Sequence, residues 1–224
     1  MLPWTVLDTA DLPDGSGTLR LKQRGSEFSI MLGSNELMNS RLSGSEEALA
    51  RLTCERLLQR PRPSLLIGGL GMGFTLRAAL AALPADATVE VAELIPAVAA
   101  WARGPMAPVF AGCLDDPRVQ LTIGDVSTVI AAGKARYDGI LLDVDNGPEG
   151  LTVAANDRLY GAAGLAAAKT ALRPGGVLAV WSSGPDHGFT RRLRDAGLAT
   201  EEVTVRASRT GRGARHVIWL ATRR

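Results

Sequence analysis

The run Leu65-Leu66-Ile67-Gly68-Gly69-Leu70-Gly71-Met72-Gly73 constrains this chain more than any other. A short apolar stretch meets a glycine-rich turn, and a helical pattern follows from Phe74 to Leu83. A buried strand that turns sharply into a helix reads this way. Glycine tolerates left-handed backbone and, without a Cβ, lets a ligand approach the main chain. About 20 residues further on, the spacing of a βαβ unit, the run Val89-Glu90-Val91-Ala92 ends in Glu93. A carboxylate at the tip of a second strand is placed to accept hydrogen bonds from ribose hydroxyls. Together the two features predict an α/β domain that binds a nucleoside-containing ligand.

The rest of the chain extends the pattern. Strands are expected at 64–67, 88–93, 119–123, 139–143, 177–181, 202–206 and 216–221, with helical patterns between most of them. That alternation predicts a doubly wound, mostly parallel seven-stranded sheet. The last two strands are joined only by residues 207–213, too short for a crossover helix, so they form an antiparallel hairpin. A parallel sheet closed by an antiparallel last strand is the Rossmann-like class I methyltransferase arrangement, not that of nicotinamide dehydrogenases. Ahead of it, 18–22 alternates apolar and polar and 28–32 follows after Arg24-Gly25. Residues 1–42 therefore read as a small β-rich appendage and 43–224 as the binding domain. Ser43 and Glu46 have the spacing of a capping box. The helix it opens should run to about Arg60, before Pro61 and Pro63, with Leu49, Leu52, Leu57 and Leu58 on its buried face.

Glycine spacing narrows the ligand. Gly69, Gly71 and Gly73 give G-x-G-x-G, and Phe74 stands where a dinucleotide fingerprint would place its third glycine. A dinucleotide rests its pyrophosphate on the helix N-terminus. S-adenosylmethionine has no phosphate, so the turn need only admit a methionine-like tail. Gly124-Asp125 follows the third strand. A carboxylate there can accept from the exocyclic amine of adenine, or it can cap the helix that follows. Asp143 ends the fourth strand, at the sheet edge where doubly wound folds hold ligands. With Asp145 and Glu149 it makes an acidic segment, and clustered carboxylates raise the pKa of one member and make it a better base. Candidate catalytic residues are thus Asp143 and Asp145. Candidate cofactor contacts are Gly69, Gly71, Gly73, Glu93, Asp125 and Asp143, and Trp181, Ser182 or Tyr160 can line an acceptor pocket.

Composition excludes several alternatives. Of the 224 residues, 46% are apolar and 21% charged, and the net charge of +2 does not call for nucleic acid. Arg206, Arg209, Arg212 and Arg215 cluster in the final hairpin without interleaved aromatics, which reads as a solvated tip. Cys54, Cys113, His187 and His216 are scattered and offer no metal-ligand spacing. No apolar run approaches the roughly 20 residues of a membrane span, and the N-terminus lacks the form of a signal peptide. The expectation is a cytoplasmic protein with a small-molecule acceptor, reduced thiols, and neither membrane nor nucleic-acid partner.

The run from Ile67 to Arg77 resembles the I-G-G-G-D-G-G-x-L-R-E motif of spermidine synthases, the polyamine aminopropyltransferases. Val91-Ala92-Glu93-Leu94-Ile95-Pro96 resembles their V-E-I-D-P, Tyr137-Asp138-Gly139-Ile140-Leu141-Leu142-Asp143 their Y-D-V-I-I-x-D, and Gly147-Pro148 their closing G-P. The resemblance implies an S-adenosyl-type donor, S-adenosylmethionine or its decarboxylated form, and leaves room for a homodimer. It implies that Glu93 holds the ribose, Asp125 the adenine, and that Asp143 is the catalytic acid/base. The chain departs from the family at Met72, where the family has Asp, at Ile95, in a loop two residues shorter after Asp143, and at 37–41, where the Gln and Tyr of the polyamine pocket are missing. These departures favour methyl transfer to a small acceptor over aminopropyl transfer, with a non-catalytic binding module as a third reading.

Overall fold

Two sheets carry the chain in the computed structural model, which describes residues 2–144, 147–148, 158–208, 210 and 213–224. The first is an antiparallel meander of β1 (Thr5–Asp11), β2 (Thr18–Arg24), β3 (Glu27–Leu32) and β4 (Asn35–Asn39), in that spatial order. The second holds β5 (Ser64–Gly68), β6 (Thr88–Glu93), β7 (Val119–Ile123), β8 (Tyr137–Leu142), β9 (Leu172–Ser182), β10 (Leu198–Arg206) and β11 (Arg215–Arg223). Its spatial order is β10-β11-β9-β8-β5-β6-β7. Strands β5 to β9 pair in parallel, and β11 lies antiparallel between β9 and β10. This is the mostly parallel seven-stranded sheet with an antiparallel last strand that the sequence predicts.

The helices are α1 (Gly44–Glu55), α2 (Phe74–Ala82), α3 (Pro96–Arg103), the single turn α4 (Ala107–Phe110), α5 (Val126–Ala132), α6 (Ala162–Ala171) and α7 (His187–Asp195). Central strands read as unbroken apolar runs because both faces are covered. Every residue of β8 is buried, as are the last four of β5. The polar start of β8 fastens the amino edge of the sheet. Asp138, 2% exposed, accepts from the Ser64 amide at 2.9 Å and pairs with Arg173 at 2.7 Å. Tyr137 donates to Glu90 at 2.7 Å. The acid at the other end of this run, Asp143, is left to the opposite, carboxyl edge.

Helix α1 departs from expectation. Ser43 is its N-cap but makes no side-chain cap; its hydroxyl donates instead to Glu47 at 2.9 Å. The helix ends at Glu55 rather than near Arg60, and turns carry the chain on to the prolines. Leu49 and Leu57 are buried as expected, Leu52 is half-buried, and Leu58 is exposed because it falls in those turns. The small sheet packs tightly on the rest. Leu19, Leu21, Phe28 and Ile30 join one core with Leu49, Leu65, Ile67 and Trp101. Burial of each such side chain contributes about 1.5–3 kcal/mol. The Trp101 indole also donates to Asp8 at 2.6 Å, tying β1 to α3. Both cysteines are free and buried, and burial pushes each thiol up to about 11. Among the described residues, no helix is long and apolar enough to cross a membrane.

Candidate functional site

The carboxyl ends of β5, β6 and β8 and the start of α5 converge on a cavity of about 250 Å³. The glycine turn forms its floor. Gly69, Gly71 and Gly73 all have positive φ, at 90°, 52° and 74°. A Cβ on Gly69 would strike the Asp143 carbonyl oxygen. Glycine is what allows the turn to lie against the end of β8, so the same residue shapes the turn and brings the acid to it. Gly69 and Gly71 line the cavity. Gly73 does not: it is the N-cap of α2, and a Cβ there would sit 2.6 Å from the Phe110 ring.

Glu93 is 7% exposed at the tip of β6. Its Oε2 accepts from the Leu70 amide at 2.9 Å and its Oε1 from the Ile95 amide at 2.8 Å. The carboxylate thus pins the glycine turn to the second strand. The residue lies on the cavity wall. Burial raises its pKa against the opposing pull of the backbone amides. Asp125 also lines the cavity. Its Oδ1 caps α5 by accepting from the Ser127 amide at 2.8 Å, and its Oδ2 faces Arg158 at 3.6 Å. The capping role considered for Asp125 is therefore present, and it leaves acceptor capacity on Oδ2.

Asp143 stands at the centre. The Thr75 hydroxyl, on the first turn of α2, lies 2.6 Å from its Oδ2. Burial first, and then the negative charge of Glu46, push its pKa up to about 7, while the Thr75 bond pulls the other way. Glu46 is the residue that sequence reasoning assigned elsewhere. It is not the partner of Ser43; it reaches the cavity wall from the start of α1. Its Oε2 accepts from the Ser45 hydroxyl at 2.8 Å, and Ser45 in turn meets His216 Nδ1 at 2.9 Å. Its main-chain oxygen lies 3.4 Å from the Thr75 hydroxyl. Glu46 itself is shifted upward, chiefly by burial. The sequence offered one clue, two adjacent acids at a helix start where a cap can use only one.

Trp181, at the carboxyl end of β9, completes the wall. Its indole Nε1 is buried and has no hydrogen-bond partner among the described residues. An unsatisfied buried donor costs about 1–3 kcal/mol, which a ligand atom can recover. His187 opens α7 behind an Asp186 cap, as expected of a helix start. Asp145, the second catalytic candidate, lies outside the described residues, as do Glu149, Arg209 and Arg212. Among the described residues no cluster of three metal-ligating side chains occurs.

With this geometry in view, comparison with known proteins is informative. No protein-family profile matches the chain. A polyamine aminopropyltransferase of Mycobacterium tuberculosis is 34% identical over 125 residues, 54% of this chain and 23% of that protein. Putrescine N-methyltransferase 2 of Nicotiana attenuata is 35% identical over 122 residues, 54% of this chain and 31% of that enzyme. Polyamine aminopropyltransferase 1 of Streptomyces coelicolor is 28% identical over 156 residues, covering 66% and 28%. The chain thus spans only about a quarter to a third of these relatives. Among solved structures, a spermidine synthase in complex with the transition state analogue AdoDATO superposes over 98% of this chain and 74% of its own. The TM-score is 0.78 at 19% identity. The spermidine synthase of Thermotoga maritima gives a TM-score of 0.76, also at 19% identity, over 98% and 72%.

Proposed function

We propose, from this chain's kinship with the spermidine synthase and polyamine aminopropyltransferase family, that it transfers an alkyl group from an S-adenosyl donor to a small amine. The reading leans to methyl transfer from S-adenosylmethionine, because Met72, Ile95 and 37–41 lack the groups special to aminopropyl chemistry. The observation that carries it is the meeting of the glycine turn, Glu93 and Asp143 in one cavity.

The residues fit such a donor. Gly69 and Gly71 line the cavity together with the Glu93 carboxylate, placed for ribose hydroxyls, and Asp125 keeps an acceptor position for an adenine amine. The donor supplies an electrophilic carbon beside a sulfonium. The protein's own work is to align the partners, worth up to ~7–11 kcal/mol in favourable cases, and to handle a proton. An alkylamine resembles lysine, with a pKa of about 10.4, and arrives protonated. An ordinary aspartate is a poor base for it. Asp143, raised to about 7, is a better one. Its carboxylate takes the proton from the ammonium, with Thr75 fixing Oδ2. The freed nitrogen lone pair then forms the new C–N bond as the C–S bond breaks, and its electron pair leaves with sulfur as a neutral thioether.

Calorimetry with S-adenosylmethionine, its decarboxylated form, methylthioadenosine and NAD tests this reading. Binding of an adenosyl-sulfur ligand and no binding of NAD is expected. NAD binding with no adenosyl-sulfur ligand bound refutes it. Turnover with the decarboxylated donor alone would replace methyl by aminopropyl transfer.

A further inference from the structure

The carboxylate that acts on Asp143 is itself held from behind. Glu46 lines the cavity, and burial works against its charge. The largest opposing influence is the Ser45 hydroxyl, which donates to Glu46 Oε2 at 2.8 Å. Ser45 is 0% exposed, and its oxygen lies 2.9 Å from His216 Nδ1. A hydroxyl has one proton to give. Since Ser45 gives it to Glu46, the imidazole is the donor to Ser45, in its Nδ1–H form. The ring therefore decides which way the hydroxyl points. Nothing local joins these residues, which stand 171 positions apart on α1 and β11. The imidazole is half-buried, with its ring edge-on to Trp181 at 4.8 Å.

We propose that His216 and Ser45 are positioning residues that keep Glu46 charged at the cavity wall, where it and Asp143 receive the ammonium of an acceptor. The inference rests on the transferase reading above and deepens it. Without the hydroxyl, the buried Glu46 carboxylate would take up a proton more readily, and the charge that helps to keep Asp143 basic would fade. The charged groups around this arm leave that logic intact. Glu47, also on α1, acts on Glu46 in the same direction as burial, and Asp143 feels Glu46 from the end of β8. Arg215 and Arg206 form the register pair next to His216 and Val205, and β9 brings the uncharged Trp181. Any further acid near Asp143 adds to the charge without altering how Glu46 is held. Burial holds the His216 pKa below the ordinary range, so near neutral pH the ring is neutral and has one N–H, which the Ser45 contact assigns to Nδ1.

The ligand-free full chain is tested first, by NMR titration of labelled carboxyl carbons. His216→Phe keeps a ring against Trp181 and loses the N–H; His216→Asn keeps an N–H near the Nδ1 position and loses the ring. In His216→Phe and in Ser45→Ala, Glu46 should titrate about half a pH unit or more above its place in the parent, and Asp143 lower than in the parent. In His216→Asn both should return toward the parent. A role in packing alone would give the opposite order, with Phe nearer the parent than Asn, and that order overturns the proposal. Unmoved titrations in Ser45→Ala overturn it too, and decide the matter if His216→Phe does not fold. The second test loads the chain with S-adenosylhomocysteine and titrates in 1,4-diaminobutane as the probe amine. Its affinity should fall at least tenfold in His216→Phe and Ser45→Ala and recover in His216→Asn. Equal amine affinity in all four chains overturns the proposal, as does donor binding with no amine bound by the parent. Both results leave the donor reading standing. Failure to bind any adenosyl-sulfur ligand overturns the donor reading itself, and this proposal with it.

Discussion

Replacing Asp143 by Asn should change how stability depends on pH, and the size of the effect follows from the site. The carboxyl titrates near 7 in the folded chain against an ordinary 3.8. The folded state therefore holds a proton that the unfolded state gives up earlier. Between these two values the native chain binds more protons than the unfolded one, so stability falls as pH rises from about 4 to about 7 and is level above that. The rise from 3.8 to about 7 corresponds in full to ~4 kcal/mol. Asp143 is partly exposed to its cavity, where water screens it, so about half of that is the working expectation. Asn keeps an oxygen for the Thr75 hydroxyl and has no charge to desolvate. Urea unfolding of the ligand-free chain and of Asp143→Asn, stepped across that range, should show the variant gaining ~2 kcal/mol on the parent between about pH 4 and pH 7. Glu93 titrates in both proteins and largely cancels, whereas Glu46, freed of its charged neighbour in the variant, contributes less there. Glu46→Gln should shrink the parent's fall and end it at a lower pH, because the second cause of the Asp143 rise is gone. Parallel curves for parent and Asp143→Asn would refute the raised pKa, and with it the role of Asp143 as a base near neutral pH.

Other outcomes follow from the same geometry. Glu93→Ala removes the acceptor of the Leu70 and Ile95 amides and the carboxylate proposed to meet the ribose; denaturation should show a loss of roughly 1–3 kcal/mol for each amide, and calorimetry a loss of donor affinity. Gly69→Ala should destabilise the chain by about 1–3 kcal/mol through its positive φ alone, and further through the Asp143 carbonyl, read by the same unfolding curves. Asp125→Asn keeps the cap to Ser127 through its amide oxygen and should lower the preference for adenosyl over inosyl ligands in competition binding; an unchanged preference leaves Asp125 a cap and nothing more. Trp181→Phe removes an unpartnered indole donor from the cavity wall and should weaken the ligand that satisfies it by about 1 kcal/mol, seen as a roughly fivefold rise in Kd.

What the sequence discloses is whatever is decided locally. The β5 turn and β8 are legible because a strand covered on both faces must be apolar throughout, and a turn with three left-handed residues must be glycine. The run from Tyr137 to Asp143 shows where that stops. Its polar residues look alike on paper, yet Tyr137 and Asp138 fasten one edge of the sheet while Asp143 meets the cavity at the other. Strands β1 and β4 carry weak signals, since β1 is almost wholly exposed and β4 is built from Asn, Glu, Leu and Met. Glu46 is hidden for a different reason. The spacing Ser43-x-x-Glu46 satisfies a local capping rule, but Ser43 bonds to Glu47, which leaves Glu46 to the cavity. The apolar wall of the cavity is less legible still, because Leu12, Leu19, Ile30, Leu37 and Met38 are ordinary residues of a small sheet and its edge until tertiary packing sets them over the glycine turn. Met38 lies 3.0 Å from where a Gly71 Cβ would be, so the absence of one side chain at the turn makes room for another that lines the cavity. The glycine turn is therefore written in a contiguous motif, and the apolar wall opposite it in a contact between two sheets. The first can persist unchanged while the second is rebuilt.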